Sequence, residues 1–148
     1  MKKLFFILGF LACFVIAKSQ QSVEKTFDWN LVFENDQVKL FSKYTNCEIP
    51  EEGLYAEYIL LKAENKTSET VHLSWYNDTY YPEGCSNCNH QRKDTKRIII
   101  LDPKQAIEGN CLPGLNSGLK VFSKWLKMSN PRILTQLTIS EITTAPVN

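Results

Sequence analysis

Histidine is nearly absent from this chain: His72 and His90 are the only two in 148 residues. With so few general bases and no G-x-S-x-G elbow, a Ser-His-Asp hydrolase finds no footing. No glycine-rich loop is present to cradle phosphates, which removes the common nucleotide-binding folds. Glutamates are plentiful, among them Glu48, Glu51, Glu52, Glu57 and Glu64. A glycosidase pair is recognised by the separation of its carboxyl groups and not by abundance, so these read as soluble surface. The expectation is a protein with neither enzymatic activity nor a cofactor.

An excess of charge of one sign is also lacking. Seventeen Lys and Arg face sixteen Asp and Glu, far from the basic footprint of a nucleic-acid binder. The one basic cluster, Arg92, Lys93, Lys96 and Arg97, is interrupted by Asp94 and holds no aromatic residue. It reads as a solvated loop and strand start. No amphipathic helical stretch is convincing, and no apolar run reaches the roughly twenty residues of a membrane-spanning helix.

The longest apolar run, Leu4 to Ala17, has a different reading. Lys2 and Lys3 precede it, and Ala17-Lys18-Ser19 supplies the small residues of a cleavage site. Residues 1–19 are therefore expected to be a signal peptide and residues 20–148 a single exported domain, in the periplasm, on the cell surface or outside the cell. Losing Lys2, Lys3 and Lys18 leaves 14 basic against 16 acidic residues, a net charge of about −2. Phe10-Leu11-Ala12-Cys13 makes a poor lipobox, because Phe10 stands where Leu is usual and apolar Phe14-Val15-Ile16 follows the cysteine. Cys13 is read as leaving with the signal.

What remains is cysteine in an even number: Cys47, Cys85, Cys88 and Cys111. In an exported chain this predicts two disulfides. Four cysteines allow three pairings. The favoured one is a local Cys85–Cys88 bridge with a long-range Cys47–Cys111 bridge, and a crossed pairing of Cys47 with Cys85 or Cys88 stays open. Two sharper readings compete. Cys85-x-x-Cys88 matches a redox dithiol, although the thioredoxin-like βαβ context is missing. Cys85, Cys88 and His90, joined by Cys111 or Cys47, match a zinc site, although no second C-x-x-C or H-x-x-x-H completes it.

Along the mature region, short period-two runs alternate with turn residues. Phe27, Trp29, Leu31 and Phe33 alternate with Asp28, Asn30 and Glu34, and Val38 to Tyr44 returns after an Asn35-Asp36 turn. Leu54 to Glu64 and Val71 to Trp75 read as a hairpin over Asn65-Lys66-Thr67-Ser68. Arg97 to Leu101 is a continuous β-branched run, as expected of a strand covered on both faces or at a sheet centre. Ala106-Ile107 pairs briefly, and Leu119 to Leu126 with Arg132 to Ile142 forms the last pair. The fold expected is all-β, an antiparallel immunoglobulin-like or fibronectin-like sandwich of about seven strands. Leu61, Val71, Leu73, Trp75, Ile99, Val121, Leu137 and Ile139 should share its core.

Aromatic residues crowd the segment before the C-x-x-C: Trp75 on the core phase, with Tyr76, Tyr80 and Tyr81 free to contact a ligand. A protein or glycan partner is the expectation, with no nucleic acid and no membrane span. N-x-T occurs at Asn65 and Asn77, both read as ordinary turn and strand-end asparagines. Several elements together resemble a group of small exported β-sandwich proteins of Bacteroidota to which no activity is assigned. These are Asn65-x-Thr67, Val71-x-Leu73-x-Trp75, Tyr81-x-x-Gly84-Cys85-x-x-Cys88, Ile107-Glu108-Gly109-x-Cys111 and Leu119-x-Val121-Phe122-Ser123-Lys124. The likeness covers Val38 to Ile142 and implies a compact exported domain. The overall expectation is a non-catalytic domain that binds or scaffolds, with a thiol-disulfide redox protein and a metal-binding module as the alternatives.

Overall fold

The computed structural model describes residues 20–88 and 95–147. The signal-peptide reading of residues 1–19, the zinc-ligand reading of His90 and the Arg92-Lys93 part of the basic cluster lie outside the described residues.

Ten strands are present among these residues: β1 (Gln20–Ser22), β2 (Asn30–Glu34), β3 (Val38–Ile49), β4 (Leu54–Asn65), β5 (Val71–Tyr81), β6 (Gly84–Cys85), β7 (Lys96–Leu101), β8 (Ala106–Glu108), β9 (Lys120–Trp125) and β10 (Gln136–Pro146). Three of them, β1, β6 and β8, have only two or three residues. Too short to show a period, they explain the gap from the seven strands expected. Every pairing is antiparallel. One sheet runs β1-β10-β5, with β6 and β7 both on β5. The other runs β2-β3-β4, with β8 and β9 both on β4. An immunoglobulin constant domain places its first, second, fifth and fourth strands in one sheet. Here three consecutive strands form a meander instead.

Local chemistry sets the turns within that meander. The Asn35 carboxamide oxygen accepts from the Gln37 and Val38 amides at 2.9 and 2.8 Å, closing the β2–β3 turn. Pro50 opens a single 3₁₀ turn between β3 and β4, and Gly53 at φ 64° ends it, a conformation that suits glycine. The two long strands then pair without interruption from Val38↔Asn65 to Ile49↔Leu54. Val38, Leu40, Ser42 and Tyr44 of β3 turn inward; Lys39, Phe41, Lys43 and Thr45 turn outward.

Two pairings and one strand position expected from the sequence are corrected. Leu54 to Glu64 and Val71 to Trp75 do not form a hairpin, because β4 and β5 belong to different sheets. Asn65 makes that crossing possible. Its buried Nδ2 donates to the carbonyls of Glu69, Leu101 and Asp102, and its Oδ1 accepts from the Thr67 amide and hydroxyl. For the same reason β9 and β10 do not pair. The Arg97–Leu101 run is not central either. β5 is bonded on one side by β10 and on the other by β7, so β7 ends the sheet and leaves Ile98 and Ile100 more than half exposed.

One apolar cluster draws on both sheets. Leu40, Tyr44, Ile59, Leu61 and Val121 come from one, and Val71, Leu73, Trp75, Leu101, Leu137 and Ile139 from the other. Seven of the eight expected core residues are buried. Ile99 is only partly so, as its strand lies at the edge. Phe27 and Leu31 are exposed, contrary to the alternation read from sequence. An irregularity between Leu31 and Phe33 breaks the period and sends both Val32 and Phe33 toward the core.

Candidate binding surface

The three tyrosines singled out in the sequence are not brought together. Tyr76 and Tyr80 share the outward phase of β5, four residues or about 13 Å apart. Tyr81 has the opposite phase and packs against the core, with the Arg132 guanidinium 3.7 Å from its ring centroid. The Tyr76 ring carries Lys96 at 5.9 Å. His72 is exposed on the outer face of the same sheet.

The cysteine loop is strapped to the end of β5. Cys85 pairs with Tyr80 in β6, and the Ser86 amide donates to the Thr79 carbonyl at 2.9 Å. Thr79 and Ser86 hydroxyls lie 2.7 Å apart, and Asn87 Nδ2 donates to the Asn77 carbonyl at 3.0 Å. Cys85 and Cys88 are disulfide-paired. Extended backbone around Cys85 supplies no helix N-terminus of the kind that stabilises a redox thiolate. Cys47 and Cys111 are paired as well, with Cα atoms 5.4 Å apart. Because Cys47 has the outward phase of β3, this pair ties the β8–β9 connection over the outer face, where Ala56 and Leu60 are covered.

The surface that sequence reasoning missed is the outer face of the β2-β3-β4-β9 sheet. Tyr58 of β4 and Phe122 of β9 are register partners, and their rings meet edge to face at 5.8 Å. Trp125 follows at 5.0 Å from Phe122 and is 42% exposed. A shallow groove of about 230 Å³ beside it is lined by Gly53, Tyr55, Trp125, Lys127 and Met128. Lysines rim the rings. Lys120 lies 5.3 Å from the Tyr58 centroid and Lys127 lies over Tyr55, while Lys43 and Lys62 flank Trp29 at 4.5 and 5.5 Å. The only sequence signal was phase: Tyr58 and Phe122 fall on outward positions of their strands, but nothing in the sequence shows that those strands are neighbours.

A second recess, of about 410 Å³, opens between the sheets. It is lined by Asn77, Thr79, Ser86, Asn87, Thr95, Arg97, Lys120, Val121 and Phe122.

One carboxylate departs from the surface reading. Glu57 is buried on the inward phase of β4, where β9 bulges and inserts Ser123 beside it. Ser123 Oγ donates to it at 2.8 Å, Lys25 Nζ lies 3.3 Å away and Lys124 Nζ 3.9 Å. Burial, reinforced by the Glu57 charge, pushes the Tyr44 phenol above its usual range. At the exposed turn, a hydrogen bond from Lys66 holds the Glu34 carboxyl below the usual carboxylate range. No group of three or more His, Cys, Asp or Glu side chains is placed to hold a metal among the described residues. No helix among them is long and apolar enough to cross a membrane.

The chain matches no protein-family model, no curated protein and no solved structure.

Proposed function

We propose that this chain is a non-catalytic exported binding domain whose ligand is a glycan, held on the outer face of the β2-β3-β4-β9 sheet. The observation behind this reading is the contiguous Tyr58–Phe122–Trp125 array, with Trp125 presenting an accessible ring. Rings of this kind offer large contact area and lose little entropy on binding, which suits the flat apolar faces of sugars. A protein partner of ordinary affinity would need a broader surface, near 800 Å² on each side. Here a narrow strip of rings is interrupted by lysines, and that favours the glycan.

Two features support the rest of the reading. The N-terminal segment has the form of a signal, and two cysteine pairs suit an oxidising compartment. One apolar cluster shared by both sheets supports a face-to-face sandwich, whose outer faces lie away from that core. Tyr76 and Tyr80, on the outer face of the other sheet, make a natural comparison.

Binding to a glycan array tests the proposal. Trp125→Ala should weaken capture of any glycan held by the wild type about tenfold or more, whereas Tyr76→Ala with Tyr80→Ala should not. An array on which the wild type captures nothing, or equal capture by Trp125→Ala, rejects it.

A further inference from the structure

The inward rows of β5 and β7 change character together. β5 turns Val71, Leu73 and Trp75 inward and then Asn77 and Thr79. β7, paired antiparallel to it, turns Leu101 and Ile99 inward and then Arg97, directly opposite Trp75. The apolar interior thus gives way to a polar one at this end, and the space there is the cleft of about 410 Å³. Among the described residues that line it, two are cationic and none is acidic. Lys120 is engaged, its Nζ donating to the Leu112 carbonyl at 2.9 Å. Arg97 is partly buried, and its Nε, removed from water, has no hydrogen-bond partner among the described residues. A guanidinium nitrogen removed from water with no acceptor is costly, and such groups are ordinarily paired.

We propose that this cleft is a ligand subsite in which Arg97 receives the carboxylate of a uronic-acid sugar. One guanidinium matches one negative charge, and its planar fork suits a carboxylate through two parallel hydrogen bonds. The rest of the lining is largely hydroxyl and carboxamide, from Asn77, Thr79, Ser86, Asn87 and Thr95, groups that exchange hydrogen bonds with sugar hydroxyls. The Thr79–Ser86 and Asn87–Asn77 bonds brace that wall before any ligand arrives. Phe122 of β9 borders both this cleft and the ring array. The sugar identity rests on the glycan reading above; the negative charge rests on Arg97 alone.

Calorimetric titration of the full chain as exported, with sodium glucuronate, glucose and N-acetylglutamate, tests the assignment. Glucuronate should saturate the protein and bind about tenfold or more tighter than either comparison compound. Arg97→Gln should lose about tenfold or more of that affinity. If that variant does not fold, Arg97→Lys keeps the charge, loses the fork and should show the same loss. The ring platform is read separately, by glycan-array capture with Trp125→Ala, so its failure and failure of the cleft give different results. No saturable glucuronate binding, equal affinity for glucose, or undiminished binding by either Arg97 variant overturns the subsite. Tighter binding of N-acetylglutamate assigns the carboxylate to a peptide and overturns the sugar.

Discussion

Replacing Asn65 by aspartate changes one atom and no volume, yet it should be among the most damaging substitutions in this domain. Asn65 is 4% exposed. Its Nδ2 faces three carbonyl oxygens, Glu69 at 2.7 Å, Asp102 at 2.9 Å and Leu101 at 3.1 Å. Its Oδ1 accepts from the Thr67 amide and hydroxyl, both at 2.8 Å. Alanine at this position abandons all five contacts. With a net worth of roughly 1 kcal/mol for each hydrogen bond, and some carbonyls recovering water, the cost should be about 3 kcal/mol. Aspartate keeps the bonds from Thr67 but aims an anionic oxygen at three carbonyl oxygens, so its cost at pH 7 should reach about 4 kcal/mol or more. Protonation restores a single O–H donor, so the pKa of this carboxyl should rise in the folded variant. The sign follows: stability is present below the ordinary carboxylate pKa of about 4 and is lost as pH rises through the raised folded value. Urea unfolding of the wild type, Asn65→Ala and Asn65→Asp between pH 4 and pH 8 reads all of this. An aspartate variant within 1 kcal/mol of the wild type, or one whose deficit does not grow with pH, would refute the reasoning.

Two other measurements bear on the fold. Replacing both Cys47 and Cys111 by alanine frees a loop of sequence separation 64, and the loop-entropy relation puts the loss at about 4 kcal/mol. Unchanged stability, or a non-reducing peptide map that joins Cys47 to the Cys85–Cys88 segment, would contradict that pairing. The buried Tyr44 phenol has a raised pKa, so its contribution is intact below about pH 10 and is lost as pH rises through the higher folded value. Tyr44→Phe should therefore make the alkaline decline in the urea midpoint shallower, and a decline of equal steepness would count against burial of that hydroxyl.

How much of this was legible depends on the range of the interaction that decides it. Period-two alternation marked β3, β4, β5 and β10, because facing in or out is written into a strand's own residues. Which strands become neighbours is not written there. Asn65-Lys66-Thr67-Ser68 has the composition of a hairpin turn, and only the side chain of Asn65, reaching carbonyls 36 and 37 residues away, shows that the chain changes sheets. Ile98 and Ile100 misled for a related reason. An unbroken β-branched run suits a strand covered on both faces, but the same residues can lie at an edge if the fold leaves their outer row uncovered.

The candidate site divides along the same line. The cysteine spacing pointed to a braced loop because two residues between cysteines is a local geometry. The ring array escaped notice because Tyr58 and Phe122 are far apart in sequence and meet only through the β4–β9 register. Arg97 was grouped with its basic neighbours as a solvated strand start, a fair reading of charge density. Its phase relative to Ile99 and Leu101 carries the contrary information, since a strand that turns two apolar residues inward turns the next odd-numbered one inward as well. Where that residue is an arginine, either the strand has left the core or the core has an end that is meant to be wet. With Trp75 fully buried directly opposite Arg97, and Asn77 and Thr79 continuing the row, the second holds: the polar end of the interior is built from the same strands as the apolar one.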